Sequence, residues 1–375
     1  MDEILVQNPP SIPLLIMCWI YVNTRMGSFW RRPAFMIDWH NLGFTMFELS
    51  ESHPVTLIAK LYEKAMAPLS DLNFCVSSAM ETWLRLNFSI SCTLLRDRPP
   101  DFFQSSSLTK QHECFQRLKS SFHDCSRIFG IDINSDSDTL VTKKLSNGDI
   151  ILRNDRPKIL VSSTSWTPDE DFSVMLDALI LLEKRIANLE SVEKPRVLAI
   201  VTGKGPQKDY YESKIALLKK SMKNVYIMTM WLEAADYPTM IGSADIGLSL
   251  HTSTSGIDLP MKVLDFFGGG MPVCARRFGC VNELVQHGMN GLVFETSEEL
   301  SDQIFQLLTD DFLFCKLKSG VQGMSRWRQN WDEHAAPVIR QVVATPPFLS
   351  WFMLTMRLCF IMIISLTGFR LLTSP

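Results

Sequence analysis

The sequence lacks the usual signatures of a metal site, a disulfide framework and a nucleic-acid-binding surface. Its nine cysteines include no CxxC pair, and its seven histidines include no HxxxH pair. An odd, scattered set of cysteines is typical of reduced, buried thiols in a cytosol-facing protein. With a net charge of −3 and no long basic run, the chain is also a poor candidate for a nucleic-acid partner.

Long apolar runs are also scarce. The segment Met1-Asp2-Glu3 is acidic rather than basic, which predicts no signal peptide. Residues 12–22 are apolar but too short to span a bilayer, so we expect a buried helix there. Residues 348–372 have the length of a span, although they contain Arg357, and a central arginine costs about 2.5–3.5 kcal/mol on insertion. We predict a membrane helix over 348–372, with an interfacial helix or a non-native tail as the alternatives.

The 375 residues, 46% of them hydrophobic, are enough for two domains in which short apolar strands alternate with helices. We predict strands over residues 4–6, 34–37, 72–76, 159–163, 197–202, 225–228, 246–250 and 272–275. We predict helices over residues 54–67, 79–86, 172–189, 207–220 and 237–243. This alternation is typical of an α/β protein with parallel sheets.

The alternation fades between residues 105 and 158. This segment has a serine cluster at 105–107 and the runs NSDSD and SNGD, which favour a partly disordered linker or insertion. We therefore expect a partial Rossmann-like domain over 1–104, a linker over 105–158, a second Rossmann-like domain over 159–335 and a divergent tail over 336–375. We find no internal repeat.

Residues 243–275 are the most informative stretch. A predicted strand is followed by a Ser/Thr/Gly loop, a charged segment, three glycines and another strand, which is the layout of a nucleotide crevice at the carboxyl edge of a parallel sheet. Asp258, Lys262 and Asp265 would share one face if the segment is helical. Carboxylates suit ribose hydroxyls and an ammonium suits a diphosphate, but this spacing is also typical of a solvated ion-pair face.

Other polar groups follow predicted strands. The turn Gly203-Lys204-Gly205-Pro206 allows close approach of an anion to a helix N-terminus, or is a structural turn. Asp38-Trp39-His40-Asn41 offers an aspartate and a histidine as general base on a sugar hydroxyl, or a structural histidine. Residues 163–166 occupy the equivalent place in the second half. The acids Asp169-Glu170-Asp171 are predicted in the first turn of helix 172–189, where they would complement its dipole.

Together these segments resemble one family, the chitobiosyldiphosphodolichol β-mannosyltransferases, which add the first mannose to the dolichol-linked oligosaccharide. The resemblance covers residue 2 to about residue 333. It is carried, in order, by QNPPSIP, IDWHNLG, LVSSTSWTPDEDF, TGKGP, WLEAADYP, GSADIGLSLHTSTSGIDLPMKVLDFFG and NGLVFETSEEL.

The resemblance implies a GT-B fold, with two Rossmann-like domains facing across a cleft. It implies that residues 1–104 are the acceptor side and residues 159–335 bind the nucleotide sugar. The implied partners are GDP-mannose, the dolichol-linked chitobiose acceptor, the endoplasmic reticulum membrane at its cytosolic face, and other mannosyltransferases of the lipid-linked oligosaccharide. No cofactor and no metal are implied.

Carried over position by position, the resemblance implies that Asp265 holds the ribose and that Lys262 meets the diphosphate. It implies that His40, beside Asp38, is the base near the acceptor, in a reaction that inverts the mannose. The implied donor-binding set is Gly203, Lys204, Gly205, Ser255, Gly256, Asp258, Lys262 and Asp265.

The chain departs from the family pattern at both ends. The membrane anchor and first strands of the family are missing, and residues after about 335 are unlike the family, so we expect a shortened form whose first domain is incomplete. Two alternatives to an active enzyme of this type follow. One is an inactive relative that binds nucleotide sugar or acts as a scaffold for other transferases, and the other is a transferase with a different donor or acceptor.

Overall fold

The structure is a computed structural model that describes residues 3–24, 32–47, 53–168, 170–191, 193–253 and 255–344. These residues fall into two compact units. The first comprises the described residues of Met1–Arg96, Thr254–Leu259 and Gln329–Pro375, and the second comprises those of Asp97–Ser253 and Pro260–Arg328. No helix within the described ranges is long and apolar enough to cross a membrane. The span predicted over residues 348–372 lies outside them.

The first unit contains a four-stranded parallel sheet. Its strands, in spatial order, are β1 (Glu3–Asn8), β2 (Ala34–Trp39), β3 (Leu72–Cys75) and β4 (Thr93–Leu94). Its helices between strands are α1 (Leu14–Thr24), α2 (Pro54–Met66) and α3 (Ser78–Phe88). Every residue of β2 is buried, as expected for a strand covered on both faces. The hydroxyl of Ser77 accepts the N–H of Met80 at 3.0 Å and so caps α3.

The prediction of a helix near residues 12–22 is confirmed by α1, but the prediction of its burial is wrong for one face. Leu15 and Val22 are buried in the core of the first unit. Leu14, Met17 and Ile20, at i, i+3 and i+6 spacing, are exposed. The segment is apolar all round, so the sequence alone does not indicate which face the sheet covers.

Residues 105–158 differ from the linker that we expected, because they form regular structure within the second unit. They contain α4 (Leu108–Arg117), α5 (His123–Phe129) and the antiparallel pair β5 (Thr142–Lys144) and β6 (Ile150–Leu152). The hydroxyls of Ser105 and Ser106 donate to the backbone oxygens of Gly269 at 2.9 Å and Thr239 at 3.1 Å. The serines therefore satisfy partly buried carbonyls by tertiary contacts, which their composition does not reveal.

The second unit is built on a six-stranded parallel sheet in the order β12-β11-β10-β7-β8-β9. The strands are β7 (Lys158–Ser163), β8 (Val197–Thr202), β9 (Val225–Met230), β10 (Ile246–Ser249), β11 (Val273–Arg276) and β12 (Gly291–Phe294). The helices between them and after them are α6 (Phe172–Ala187), α7 (Lys208–Leu218), α8 (Tyr237–Ile241), α9 (Met261–Gly269), α10 (Ser297–Thr309) and α11 (Asp311–Gln322). The chain continues through α12 (Trp327–Asn330), a π-helical turn (Trp331–Ala335) and α13 (Ala336–Val343).

The eight predicted strands are all present, and the structure adds β4, β5, β6 and β12. Each unit has its own hydrophobic core. Phe35 and Trp39 are fully buried in the first core, and Trp166, Phe172 and Phe294 are buried in the second. The described cysteines are all free thiols.

A partly buried ion pair lies at the amino edge of the first sheet. Arg32, followed by proline, donates to both carboxylate oxygens of Asp71 at 2.8 and 2.5 Å. The N–H of Phe35 donates to the same carboxylate at 2.8 Å, and the N–H of Asp71 donates to the carbonyl of Phe35 at 2.7 Å. The pair therefore joins the starts of β2 and β3.

The same arrangement recurs in the second unit. Arg156, again followed by proline, donates to both oxygens of Asp245 at 2.8 and 2.6 Å, and Asp245 also accepts the N–H of Ile159 at 2.8 Å. We call the two arrangements amino-edge clamps. They form a local repeat that joins neighbouring strands in each sheet. The sequence does not reveal it, because the paired arginine and aspartate lie 39 positions apart in one unit and 89 in the other.

Candidate active site

The strand order of the six-stranded sheet reverses between β7 and β10. Strands β7, β8 and β9 follow one another in one direction, and β10, β11 and β12 follow in the other. In open parallel sheets, ligands bind outside the carboxyl ends of the strands at such a reversal. Here β7 ends at Ser163 and β10 ends at Ser249, so the segments after these two residues form the candidate site.

Lys262 is held there by a buried carboxylate. Glu170 is only 3% exposed, and its Oε1 accepts the ammonium of Lys262 at 2.8 Å. Its Oε2 accepts the hydroxyl of Thr164 and the N–H of Ser165, the latter at 3.2 Å. A buried carboxylate needs such partners to offset its loss of hydration. Glu170 therefore fixes Lys262 beside the segment that follows β7.

The prediction that Asp169-Glu170-Asp171 lie in the first turn of α6 is wrong for Glu170 and Asp171, which precede Phe172. Asp171 is the N-cap, and its side chain accepts the N–H of Ser173 at 3.0 Å. Glu170 precedes the helix, and its backbone forms an isolated antiparallel β-bridge with that of His251, which follows β10. Residue 169 lies outside the described residues.

Asp265 is linked to the end of β7 through a tyrosine. Its Oδ2 accepts the hydroxyl of Tyr237 at 3.1 Å, and Tyr237 lies 2.9 Å from the hydroxyl of Ser163. Burial raises the pKa of Asp265 to about 6, and the hydrogen bond from Tyr237 and the charge of Lys262 oppose that rise. The two charged residues that the sequence analysis singled out on α9 are thus both connected to the carboxyl end of β7.

The loop Gly203-Lys204-Gly205 lies against the chain's own backbone. Gly203 has φ +132°, and a Cβ there would lie 1.8 Å from the carbonyl oxygen of Thr164. A Cβ on Gly205 would lie 1.7 Å from the carbonyl oxygen of Ser165. The Nζ of Lys204 lies 4.0 Å from the centre of the exposed Trp231 ring, a cation–π contact at the carboxyl ends of β8 and β9.

The residue between these segments, Trp166, has φ +51°, which is unusual for a bulky side chain. Its N–H donates to the hydroxyl of Thr164 at 2.7 Å, and its indole Nε1 donates to the carbonyl of Gly203 at 3.3 Å. Its ring is fully buried and stacks on Phe172 with a centroid separation of 4.5 Å. The surrounding packing therefore holds a strained residue at the site.

In the first unit, Asp38 and His40 form a hydrogen-bonded pair at the carboxyl end of β2. Nε2 of His40 lies 3.0 Å from Oδ2 of Asp38, which is buried. The N–H of His40 donates to the carbonyl of Asn8 at 2.9 Å. In this geometry the carboxylate of Asp38 is placed to accept an Nε2–H and so to orient the imidazole ring.

The loop that carries Ser255, Gly256 and Asp258 belongs to the first unit. Ser255 donates to Asp258 at 3.2 Å, and the hydroxyl of Ser77 donates to the carbonyl of Ile257 at 2.6 Å. The expectation of one helical face is wrong for Asp258, because α9 begins only at Met261. The remaining members of the predicted donor set lie in the second unit: Gly203, Lys204, Gly205, Lys262 and Asp265.

Two residues of this site escape the sequence analysis. Glu170 bonds a partner 92 positions away and Tyr237 bonds one 28 positions away, so neither pair leaves a local spacing signal. Tyr237 lies in the quoted WLEAADYP segment, which is the only hint that the sequence offers. Among the described residues, no cluster of three or more His, Cys, Asp or Glu side chains is placed to hold a metal ion.

A family model described as glycosyl transferases group 1 matches residues 156–310. An Arabidopsis thaliana protein named UDP-glycosyltransferase TURAN is 41% identical over 92% of this chain and 77% of its own length. The Mus musculus and Homo sapiens proteins named chitobiosyldiphosphodolichol beta-mannosyltransferase are each 40% identical. They match 92% and 90% of this chain and 71% and 72% of their own lengths.

Solved structures that resemble this one include Anabaena HepE in complex with UDP, with a TM-score of 0.58 and 17% identity. The match covers 91% of this chain and 77% of that one. Sucrose-phosphate synthase from Thermosynechococcus elongatus matches with a TM-score of 0.56 and 12% identity, over 92% of this chain and 74% of that one. At these identities the likeness shows the fold alone, which is the GT-B fold expected from the sequence.

Proposed function

Because the chain belongs to the chitobiosyldiphosphodolichol β-mannosyltransferase family, we propose that it transfers mannose from GDP-mannose to chitobiosyl-diphosphodolichol. Family membership makes it a glycosyltransferase. The donor nucleotide and the cytosolic face of the endoplasmic reticulum membrane are parts of the proposal. The observation that carries the proposed donor site is the connection of Lys262 and Asp265 to the end of β7, where the strand order reverses.

In the proposed donor complex, the carboxylate of Asp265 accepts hydrogen bonds from the ribose hydroxyls. Lys262 and the N-terminus of α9 face the diphosphate, because both present positive charge that stabilises an anion. The exposed Trp231 beside Lys204 offers a ring face to the guanine base. Of these groups, Lys262 and the N-terminus of α9 hold the leaving diphosphate, and their positive charge becomes more stabilising as the bond to mannose breaks.

The proposed reaction is a single displacement. The 4-hydroxyl oxygen of the chitobiose bonds to C1 of mannose while the bond from C1 to the diphosphate oxygen breaks, and GDP leaves with the electron pair. The hydroxyl proton passes to the imidazole of His40, and the carboxylate of Asp38, 3.0 Å from Nε2, stabilises the imidazolium that forms. Because the donor is α-linked, attack from the opposite face gives the β-linked product.

We further propose that α2 contacts the membrane that carries the acceptor lipid. Val55, Ile58 and Leu61 recur at spacings of three residues and are exposed, Ile58 by 62%. Lys60 and Lys64 lie on the same helix. An exposed apolar stripe beside lysines is typical of a helix that lies in a membrane interface with anionic headgroups.

Sedimentation with liposomes that contain anionic lipid tests the membrane proposal. Ile58→Glu should reduce the bound fraction, whereas Leu86→Glu, at an isolated leucine of α3 that is 72% exposed, should not. Equal binding of wild type and Ile58→Glu would contradict the proposal.

The transferase proposal is tested with purified protein, radiolabelled donor and a chitobiosyl-diphospho-lipid. We expect a β-mannosylated lipid with GDP-mannose and no product with UDP-glucose or UDP-N-acetylglucosamine. The UDP arms are needed because the Arabidopsis relative is named a UDP-glycosyltransferase. Transfer from a UDP-sugar but not from GDP-mannose would overturn the donor assignment, and the absence of any transfer would overturn the proposed activity.

A further inference from the structure

Tyr237 connects the proposed ribose-binding carboxylate to the sheet. From this geometry we infer that Tyr237 is a positioning residue, which holds Asp265 ionised and oriented to accept hydrogen bonds from the ribose of the donor. The inference rests on the proposed function, because it assigns a role within the proposed donor site. It adds a residue to which the motifs of the sequence give no role.

The direction of the hydrogen bonds around Tyr237 follows from proton count. An ionised carboxylate only accepts, so the single phenolic proton of Tyr237 goes to Asp265 at 3.1 Å. The oxygen of Tyr237 then accepts from Ser163 at 2.9 Å, and the hydroxyl of Thr202 lies 3.4 Å from Ser163. The hydroxyls at the ends of β8 and β7 thus all donate toward Asp265. Hydrogen bonds that run in one direction polarise one another, which strengthens the last bond to the carboxylate.

The tyrosine ring is also held in place. Tyr237 is the first residue of α8. Its ring makes an edge-to-face contact with the ring of Phe103, with a centroid separation of 5.7 Å and an interplanar angle of 85°. Because the ring and Ser163 are both fixed, the hydroxyl presents one donor direction to Asp265. A binding group held in this way needs no reorganisation when the ligand arrives.

The charged surroundings of Asp265 make the Tyr237 hydroxyl important. Burial raises the pKa of Asp265 to about 6, and Tyr237 and Lys262 are the groups that oppose this rise. Of the other titratable groups around α9, the buried Glu170 is paired with Lys262, and Arg276 on β11 pairs with Asp171. Strand β10 has no titratable side chain, and Cys274 on β11 is buried. At the other end of the helix, Arg326 donates to backbone carbonyls. Without the hydroxyl, we expect the pKa of Asp265 to rise further.

The experiment compares wild type, Tyr237→Phe and the control Tyr226→Phe by calorimetric titration with GDP-mannose between pH 5.5 and 8.5. Tyr226 is a buried tyrosine of β9 with no contact to Asp265 among its described ring contacts. In wild type, affinity for GDP-mannose should fall at low pH as Asp265 becomes protonated. For Tyr237→Phe we expect this acid limb of the affinity profile to shift to higher pH by about one unit. This shift weakens binding about eightfold at pH 5.5 and less than twofold at pH 8.5. Tyr226→Phe should follow the wild-type profile.

A purely structural role would weaken binding equally at every pH, and that result, or an unshifted limb, would overturn the inference. Asp265→Asn provides a second check, because Tyr237→Phe should add no pH-dependent effect in that background. If wild type bound no GDP-mannose, the proposed function would fail and the inference with it. Normal wild-type binding with an unshifted Tyr237→Phe limb would overturn the inference alone.

Discussion

Replacing Gly203 by alanine tests whether the loop after β8 must lie against the segment after β7. At φ +132° an alanine costs about 1–3 kcal/mol in backbone strain. Its Cβ would also lie 1.8 Å from the carbonyl oxygen of Thr164, a backbone atom that cannot rotate away as a side chain would. The two segments must therefore separate, and the donor must restore their arrangement when it binds. A cost of 1–3 kcal/mol corresponds to an affinity for GDP-mannose about 5- to 150-fold weaker.

The matched control is Gly148→Ala in the turn between β5 and β6. Gly148 has φ +91°, but a Cβ there would meet no atom within 4 Å. This variant should lose about 1 kcal/mol of unfolding free energy and keep wild-type donor affinity. Calorimetric titration measures the affinities and urea denaturation measures the stabilities. Donor affinity for Gly203→Ala within twofold of wild type, or an equal loss in Gly148→Ala, would refute the reasoning.

Three other substitutions give separate tests. Burial raises the pKa of Asp265 from 3.8 to about 6, so the folded protein favours the protonated carboxyl. The contribution of Asp265 to the unfolding free energy is therefore fully present below about pH 4 and is lost as the pH rises through 6. Asp265→Asn should therefore raise the unfolding free energy at pH 8 by about 2–3 kcal/mol in urea denaturation, while donor affinity falls. Arg156→Ala should lower the unfolding free energy by about 3 kcal/mol, because the buried Asp245 keeps only the N–H of Ile159 and the more distant ammonium of Lys158, at 3.8 Å. The double variant with Asp245→Ala should recover part of that loss. His40→Gln should slow mannose transfer about 10²- to 10⁴-fold in the radiolabelled assay, with GDP-mannose affinity changed less than threefold.

The strands were predictable because burial on both faces leaves a continuous apolar run in the sequence. Residues 197–202 and 225–228 show this: β8 has the predicted bounds, and β9 continues two residues further, to Met230. The polar residues after β2 and β7 were predictable for a related reason. Parallel strands end at the same edge of a sheet, so residues after strand ends are the ones available for chemistry.

The partners of those residues were not predictable, because they depend on contacts between distant parts of the chain. Glu170 and Asp171 are neighbours in one acidic triplet, and the sequence does not distinguish their roles. In the structure Glu170 bonds Lys262, whereas Asp171 caps α6. The segment 105–158 was misjudged for a different reason. By composition its SNGD run favours a linker, but Asn-Gly between two short strands is also the usual signal of a hairpin, and β5 and β6 form one.

The two amino-edge clamps have a consequence for engineering this protein. They place one arginine–aspartate ion pair at the amino end of each parallel sheet. The candidate site residues follow β2 and β7, at the carboxyl ends of the same sheets. The carboxyl ends, in contrast, carry a residue with an unfavourable backbone angle at Trp166 and a carboxylate that burial makes harder to ionise at Asp265. Variants selected for thermal resistance should therefore accumulate changes around the carboxyl ends and leave both arginine–aspartate pairs intact, and such selection would tend to erode donor binding before it disturbs the fold.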